Sequence, residues 1–132
     1  MKIAVRYQSR GGNTKAIAET IAKAAGVKAE AIDTPLAESV DILFVGGAIY
    51  AFGMDESLKK YLQDLDTQGV KSVAAFSTGG MMSIAKKIVA ATEKKGIAVC
   101  ERTLSIKGMR DRALTDEHTR QIEDFVKEIL KA

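Results

Sequence analysis

Tyr7-Gln8-Ser9-Arg10-Gly11-Gly12-Asn13-Thr14-Lys15-Ala16-Ile17-Ala18-Glu19 runs from a strand end through a glycine pair straight into a helix. Before it, Lys2 to Tyr7 alternates charge with Ile3, Ala4 and Val5 and reads as a strand. After it, Asn13 to Ala25 places Ile17, Ile21 and Ala24 on one helical face, with Gly26 as the stop. The turn between them has a chemistry of its own. Glycines let backbone N–H groups curl around an anion, and the helix start adds partial positive charge. Ser9, Asn13 and Thr14 add side-chain donors. A phosphate monoester suits such a loop; a plain tight strand-to-helix turn is the alternative reading. No Gly-Lys-Ser/Thr follows at Walker A spacing and no G-x-G-x-x-G is present, so a nucleoside triphosphate and NAD are disfavoured.

Outward from this stretch, strands and helices keep alternating. Val27 to Asp33 reads as a weak second strand closed by Thr34-Pro35, and Asp41 to Gly46 as an apolar third. Asp55 is placed to cap a helix carrying Leu58, Tyr61, Leu62 and Leu65. Ser72 to Phe76 reads as a fourth strand, and Ser83 to Lys95 as a helix stopped by Gly96. A fifth strand starts at Ile97 to Glu101 and continues with breaks to Ile106. Thr115 caps a last helix whose stripe is Ile122, Phe125, Val126, Ile129 and Leu130. Residues 1–132 are therefore expected to form a single α/β domain, a three-layer open sheet of five parallel strands in the order 2-1-3-4-5.

In such a sheet ligands bind beyond the carboxyl ends of the strands, at the switch point. Two further loops fall there. Gly47-Ala48-Ile49-Tyr50-Ala51-Phe52-Gly53-Met54 puts aromatics between glycines, where a flat heteroaromatic ring could lie against Tyr50 or Phe52, or the two rings could simply close the core. Ser77-Thr78-Gly79-Gly80-Met81-Met82 again joins a strand to a helix through a glycine pair, and alone reads as another turn.

The stretch from Tyr7 to Glu19 resembles the phosphate loop and first helix of the flavodoxin family, whose Thr/Ser-x-Thr-Gly-x-Thr pattern is matched at Ser9, Gly12 and Thr14. The order of elements resembles that family over essentially the whole chain. The resemblance implies FMN as cofactor. Ser9, Arg10, Gly11, Gly12, Asn13 and Thr14 would hold its phosphate; Ala48, Ile49, Tyr50, Ala51, Phe52 and Gly53 would flank one side of the isoalloxazine, and Ser77, Thr78, Gly79, Gly80 and Met81 the other. It implies an electron-transfer flavoprotein shuttling between redox partner proteins. The alternative is an FMN-dependent oxidoreductase acting on a quinone or porphyrinogen, since the Ala48 to Gly53 loop also resembles that of small quinone-linked flavoproteins such as the flavodoxin-type protoporphyrinogen oxidase. A backbone carbonyl between Tyr50 and Gly53 could turn toward the flavin on reduction, a movement that Gly53 makes cheap.

Three departures from the family pattern stand out. Gly11 replaces a hydroxyl residue, with Arg10 a candidate to compensate or a merely exposed arginine. The third loop lacks the Gly-Asp and nearby tyrosine that often stack on the flavin, leaving Met81 or Met82 to cover the ring or to fill core. The chain is also basic, net charge +3, where typical flavodoxins are acidic, so partners with acidic surfaces, or a different partner altogether, are expected.

Other functions are disfavoured. A receiver domain shares the topology but needs acidic residues where Gln8-Ser9 and Gly46-Gly47 stand. A cysteine phosphatase needs C-x-x-x-x-x-R, and the sixth residue after Cys100 is Ile106. Cys100 reads as a buried strand residue, His118 as exposed and structural. No metal-ligating set is read. The segment Lys107-Gly108-Met109-Arg110-Asp111-Arg112 could greet an anionic substrate or be a solvated loop. Lys59-Lys60, Lys86-Lys87 and Lys94-Lys95 read as solvated helix faces, and no aromatics interleave with a basic stripe, so nucleic acid is not expected as a partner. No apolar run is long enough for a membrane span. The N-terminus lacks the pattern of a secretory signal, and a single cysteine fits a reducing compartment, so a cytoplasmic location is expected.

Overall fold

The computed structural model describes residues 1–50, 53–79 and 84–131; of Ile49 and Tyr50 it describes the backbone. Strand β1 (Ile3–Tyr7) leads through the glycine turn into α1 (Asn13–Ala25), which ends at Gly26 with φ +76°. Next come β2 (Ala29–Ala31), β3 (Val40–Gly47), the two-residue strands β4 (Ile49–Tyr50) and β5 (Gly53–Met54), and α2 (Glu56–Gln63). Then follow β6 (Val70–Gly79), α3 (Ile84–Lys94), β7 (Ala98–Val99), β8 (Leu104–Lys107) and α4 (Asp116–Lys131).

The main sheet is parallel throughout, in the order β2-β1-β3-β6-β7, and β8 also pairs with β6. The expected five-strand order is thus found, with the fifth strand in two pieces. Ala98 and Val99 pair with Ser72 and Val73, and Leu104 resumes the ladder opposite Phe76. Between those registers, Cys100 to Thr103 bulge past Ala74 and Ala75.

Side-chain alternation splits the core into two layers. Ala4, Leu43, Val45, Val73 and Ala75 face α2 and α3, meeting Leu58, Leu62, Ile84 and Ile88. Val5, Ile42, Phe44, Ala74 and Phe76 face α1 and α4, meeting Ile17, Ile21, Ile122 and Phe125. The Phe44 and Phe125 rings meet edge to face, with centroids 5.8 Å apart.

Several local expectations are corrected. Ser77, Thr78 and Gly79 are not loop: β6 runs through them because β8 offers partners at Ser105, Ile106 and Lys107. The second loop holds an antiparallel pair, Ile49 with Met54 and Tyr50 with Gly53. Cys100 is half-buried at the bulge rather than inside a strand. β2 shrinks to three residues, because the chain then turns to run over the buried Arg6. That arginine had no reading from the sequence. Its Nε and Nη2 donate to the carbonyls of Thr34 and Pro35 at 2.9 and 3.1 Å, anchoring the β2–β3 connection.

Candidate functional site at the carboxyl edge

The carboxyl ends of β1, β3, β6 and β8 meet along one edge. There Asn13, Ala48, Thr78, Gly79, Ile106, Gly108 and Met109 line an open cleft of about 260 Å³. The three loops marked out by the sequence thus each contribute, at Asn13, at Ala48, and at Thr78 and Gly79. The fourth contributor, the segment after β8, entered the sequence reading only as a candidate substrate contact.

The first turn of α1 is prepared for an anion. Its N-cap is Gly12 at φ +97°; no side chain caps it and no acidic residue sits in the turn. The opening amides of a helix have no partner within the helix, so here they are left to a ligand or solvent. The N-termini of α2 and α4 differ: Asp55 caps α2 through the Ser57 amide at 2.8 Å, and Thr115 Oγ1 accepts from the His118 amide at 3.0 Å. Ser9 Oγ accepts from the Gly12 amide at 3.0 Å and shapes the turn from within. Thr14 is buried, its hydroxyl 3.5 Å from that of Thr78, linking the first and third segments. Gly11 is exposed with open space around it.

Arg10 reaches sideways. Its Nε and Nη2 both donate to Asp55 Oδ2, at 3.0 and 2.6 Å, so the first loop is tied to the cap of α2. The Ser57 hydroxyl, then its amide and the Arg10 guanidinium, hold the Asp55 carboxyl below the usual aspartate range against the effect of burial. Ser77 is fully buried, its hydroxyl 3.1 Å from that of Ser105. Ile49, Tyr50 and Gly53 lie in the β4–β5 pair. Ala51, Phe52, Gly80, Met81 and Met82 lie outside the described residues.

Two glycines at the end of β3 set the shape of the edge. A Cβ on Gly46 would lie 2.3 Å from the Phe76 ring, and one on Gly47 2.6 Å from Leu58 Cδ2. Beside Gly47 the Gln8 Oε1 atom is buried without a hydrogen-bond partner among the described residues. His118, half-buried, works structurally: Nδ1 accepts from the Thr115 amide, so Nε2 carries the proton and donates to the Lys107 carbonyl at 2.8 Å. Burial pushes the Cys100 thiol up, away from reactivity. No helix among the described residues is long and apolar enough to cross a membrane.

The fold and this edge define an open parallel α/β protein with an anion-ready loop at its switch point. Residues 4–110 match the Flavodoxin_5 flavodoxin domain, and the chain belongs to the flavodoxin family, a family of electron-transfer flavoproteins. Solved structures with the same fold include a flavodoxin from the domain Archaea, at TM-score 0.85 and 21% identity, covering 99% of this chain and 97% of that one. Oxidised flavodoxin 2 from Bacillus cereus matches at TM-score 0.78 and 21% identity, covering 99% of each chain. A short-chain flavodoxin associated with a non-canonical PDU bacterial microcompartment matches at 0.72 and 21%, covering 99% and 98%. No curated protein matches the chain by sequence.

Proposed function

We propose that the chain binds one FMN non-covalently at this edge and carries electrons between redox partner proteins. The observation that carries the reading is the uncapped, acid-free start of α1 behind Gly12, converging with Ala48, Thr78 and Gly79 on one cleft. The residues present fit the cofactor. The first-turn amides, with the Ser9 and Thr14 hydroxyls, suit a phosphomonoester. The orphaned Gln8 Oε1 offers an acceptor to a hydroxyl of the ribityl chain. The segments Ala48 to Gly53 and Ser77 to Met81 would lie on either side of the ring.

Bound there, FMN would supply reversible one- and two-electron reduction, with the protein setting potential and access. The chain's own groups bind and orient. The amides fix the phosphate end, and the Arg10–Asp55 pair keeps the first loop in register with α2. The open space around Gly53 would let a peptide beside it reorient. Exposed Lys15, Lys107 and Arg110 near the edge fit partners with acidic faces. The single cysteine accords with a cytoplasmic setting.

A carrier is favoured over a quinone- or porphyrinogen-converting enzyme, because the family is one of electron-transfer flavoproteins and Arg112 of the basic segment after β8 is packed on Gly12 and Asn13 of the first loop. Visible absorption of the purified protein during FMN titration tests the reading. Flavin bands near ~370 and ~450 nm that shift and saturate at one FMN per chain are expected. A chain that leaves the spectrum of free FMN unchanged at millimolar excess overturns it.

A further inference from the structure

We infer that Arg112 is a phosphate-binding residue of this chain, its guanidinium forming the outer wall of the anion site behind Gly12. The inference rests on the FMN reading and names a ligand group that lies far from the glycine loop in sequence.

Arg112 lies across the first loop. A Cβ on Gly12 would be 2.3 Å from Arg112 Cδ, 2.7 Å from Cγ and 3.7 Å from Nε. The missing side chain of Gly12 is therefore the space that the arginine stem occupies, which brings Nε of the guanidinium beside the N-cap of α1. The Arg112 amide donates to Asn13 Oδ1 at 2.8 Å, fixing the backbone against the same helix start. Asp111 and Arg112 sit at φ +52° and +66°, at the centre of a tight turn closed by the Ala113 amide on the Arg110 carbonyl. Such a turn favours glycine or asparagine, and a left-handed arginine costs about 1 kcal/mol. The turn fixes both positive φ values, and it sets the Arg112 stem over Gly12.

The charge balance points the same way. The first loop offers amides and hydroxyls, all neutral, to a group that carries close to two negative charges at neutral pH. Arg10 is held on Asp55. Among the described residues no carboxylate pairs with the Arg112 guanidinium, and the residue is exposed. A planar fork of donors matches two phosphate oxygens at once.

The test compares FMN with riboflavin, which lacks the phosphate, by fluorescence titration of wild type, Arg112→Gln, Arg112→Lys and Arg110→Gln. Arg110→Gln removes the same charge from the same turn without touching Gly12. The expected result is an FMN affinity lowered about tenfold or more by Arg112→Gln, with riboflavin affinity changed less than about twofold. Arg112→Lys should fall between, and Arg110→Gln should stay within about threefold of wild type. The 31P resonance of bound FMN should move between wild type and Arg112→Gln. Equal losses for both flavins, equal losses in Arg110→Gln and Arg112→Gln, or no loss in Arg112→Gln would each overturn the inference while leaving the cofactor reading intact. A wild-type chain that binds neither flavin overturns both. Because Arg112 is exposed, unchanged thermal melting should accompany each variant.

Discussion

At the residue scale, single positions carry specific loads. Gly12 holds φ +97° and leaves room for Arg112, so Gly12→Ala meets both backbone strain and a clash. It should cost about 1–2 kcal/mol in chemical denaturation and weaken FMN binding further than that strain alone. Unchanged stability and affinity would show that neither constraint operates. Arg6 is read from the structure alone: in Arg6→Leu the carbonyls of Thr34 and Pro35 lose buried donors, with an expected loss of about 2–4 kcal/mol by urea unfolding. Asp55 sets a pH dependence. Its folded carboxyl is held below the ordinary value of about 4, so the stability it lends is complete above that pH and is lost as pH falls through the lower, folded value. Asp55→Asn should therefore be less stable at neutral pH and show a shallower acid loss; an unchanged acid limb contradicts the assignment. The sequence marked Ser9, Gly12 and Thr14 by their neighbours in the chain. It marked Arg112 only within a basic segment that could meet an anionic substrate, because the contact with the start of α1 joins residues 99 apart in the chain.

Elements were legible to the degree that local signals bound them. The start and stop of α1 were both readable, because Gly12 and Gly26 take left-handed conformations that other residues resist. Asp55 and Thr115 likewise cap α2 and α4 as their side chains indicate. β6 outran its reading because Ser77, Thr78 and Gly79 look like turn residues until Ser105 to Lys107 pair with them. The break between β7 and β8 is set by register with β6, distant in the chain, which no local pattern encodes, whereas the β4–β5 pair is local, Ile49 opposite Met54 and Tyr50 opposite Gly53. The Thr115–His118 pair gives an element-scale prediction. His118→Ala removes both the acceptor for the Thr115 amide and the donor to the Lys107 carbonyl. Amide exchange should accelerate between residues 107 and 116 while α1 stays protected; uniform exchange across the chain would contradict this local role.

At the scale of the whole molecule, charge and edge geometry act together. With net charge +3, the field over the cofactor edge favours added negative charge. The potential for the second electron should therefore fall as ionic strength rises, and a flat or opposite trend in redox titration would remove electrostatics as the deciding effect. The parallel order and two-layer core were expected from alternating strands and helices, and they bring four strand ends to one edge. Whether that edge holds the cofactor is tested most directly by amide NMR shifts during FMN titration. The largest shifts are expected at residues 11 to 15, with further shifts at 48 to 53, 77 to 81 and 108 to 113. Shifts centred on the opposite end of the sheet, around Ser39 and Gly69, or none at all, would contradict it.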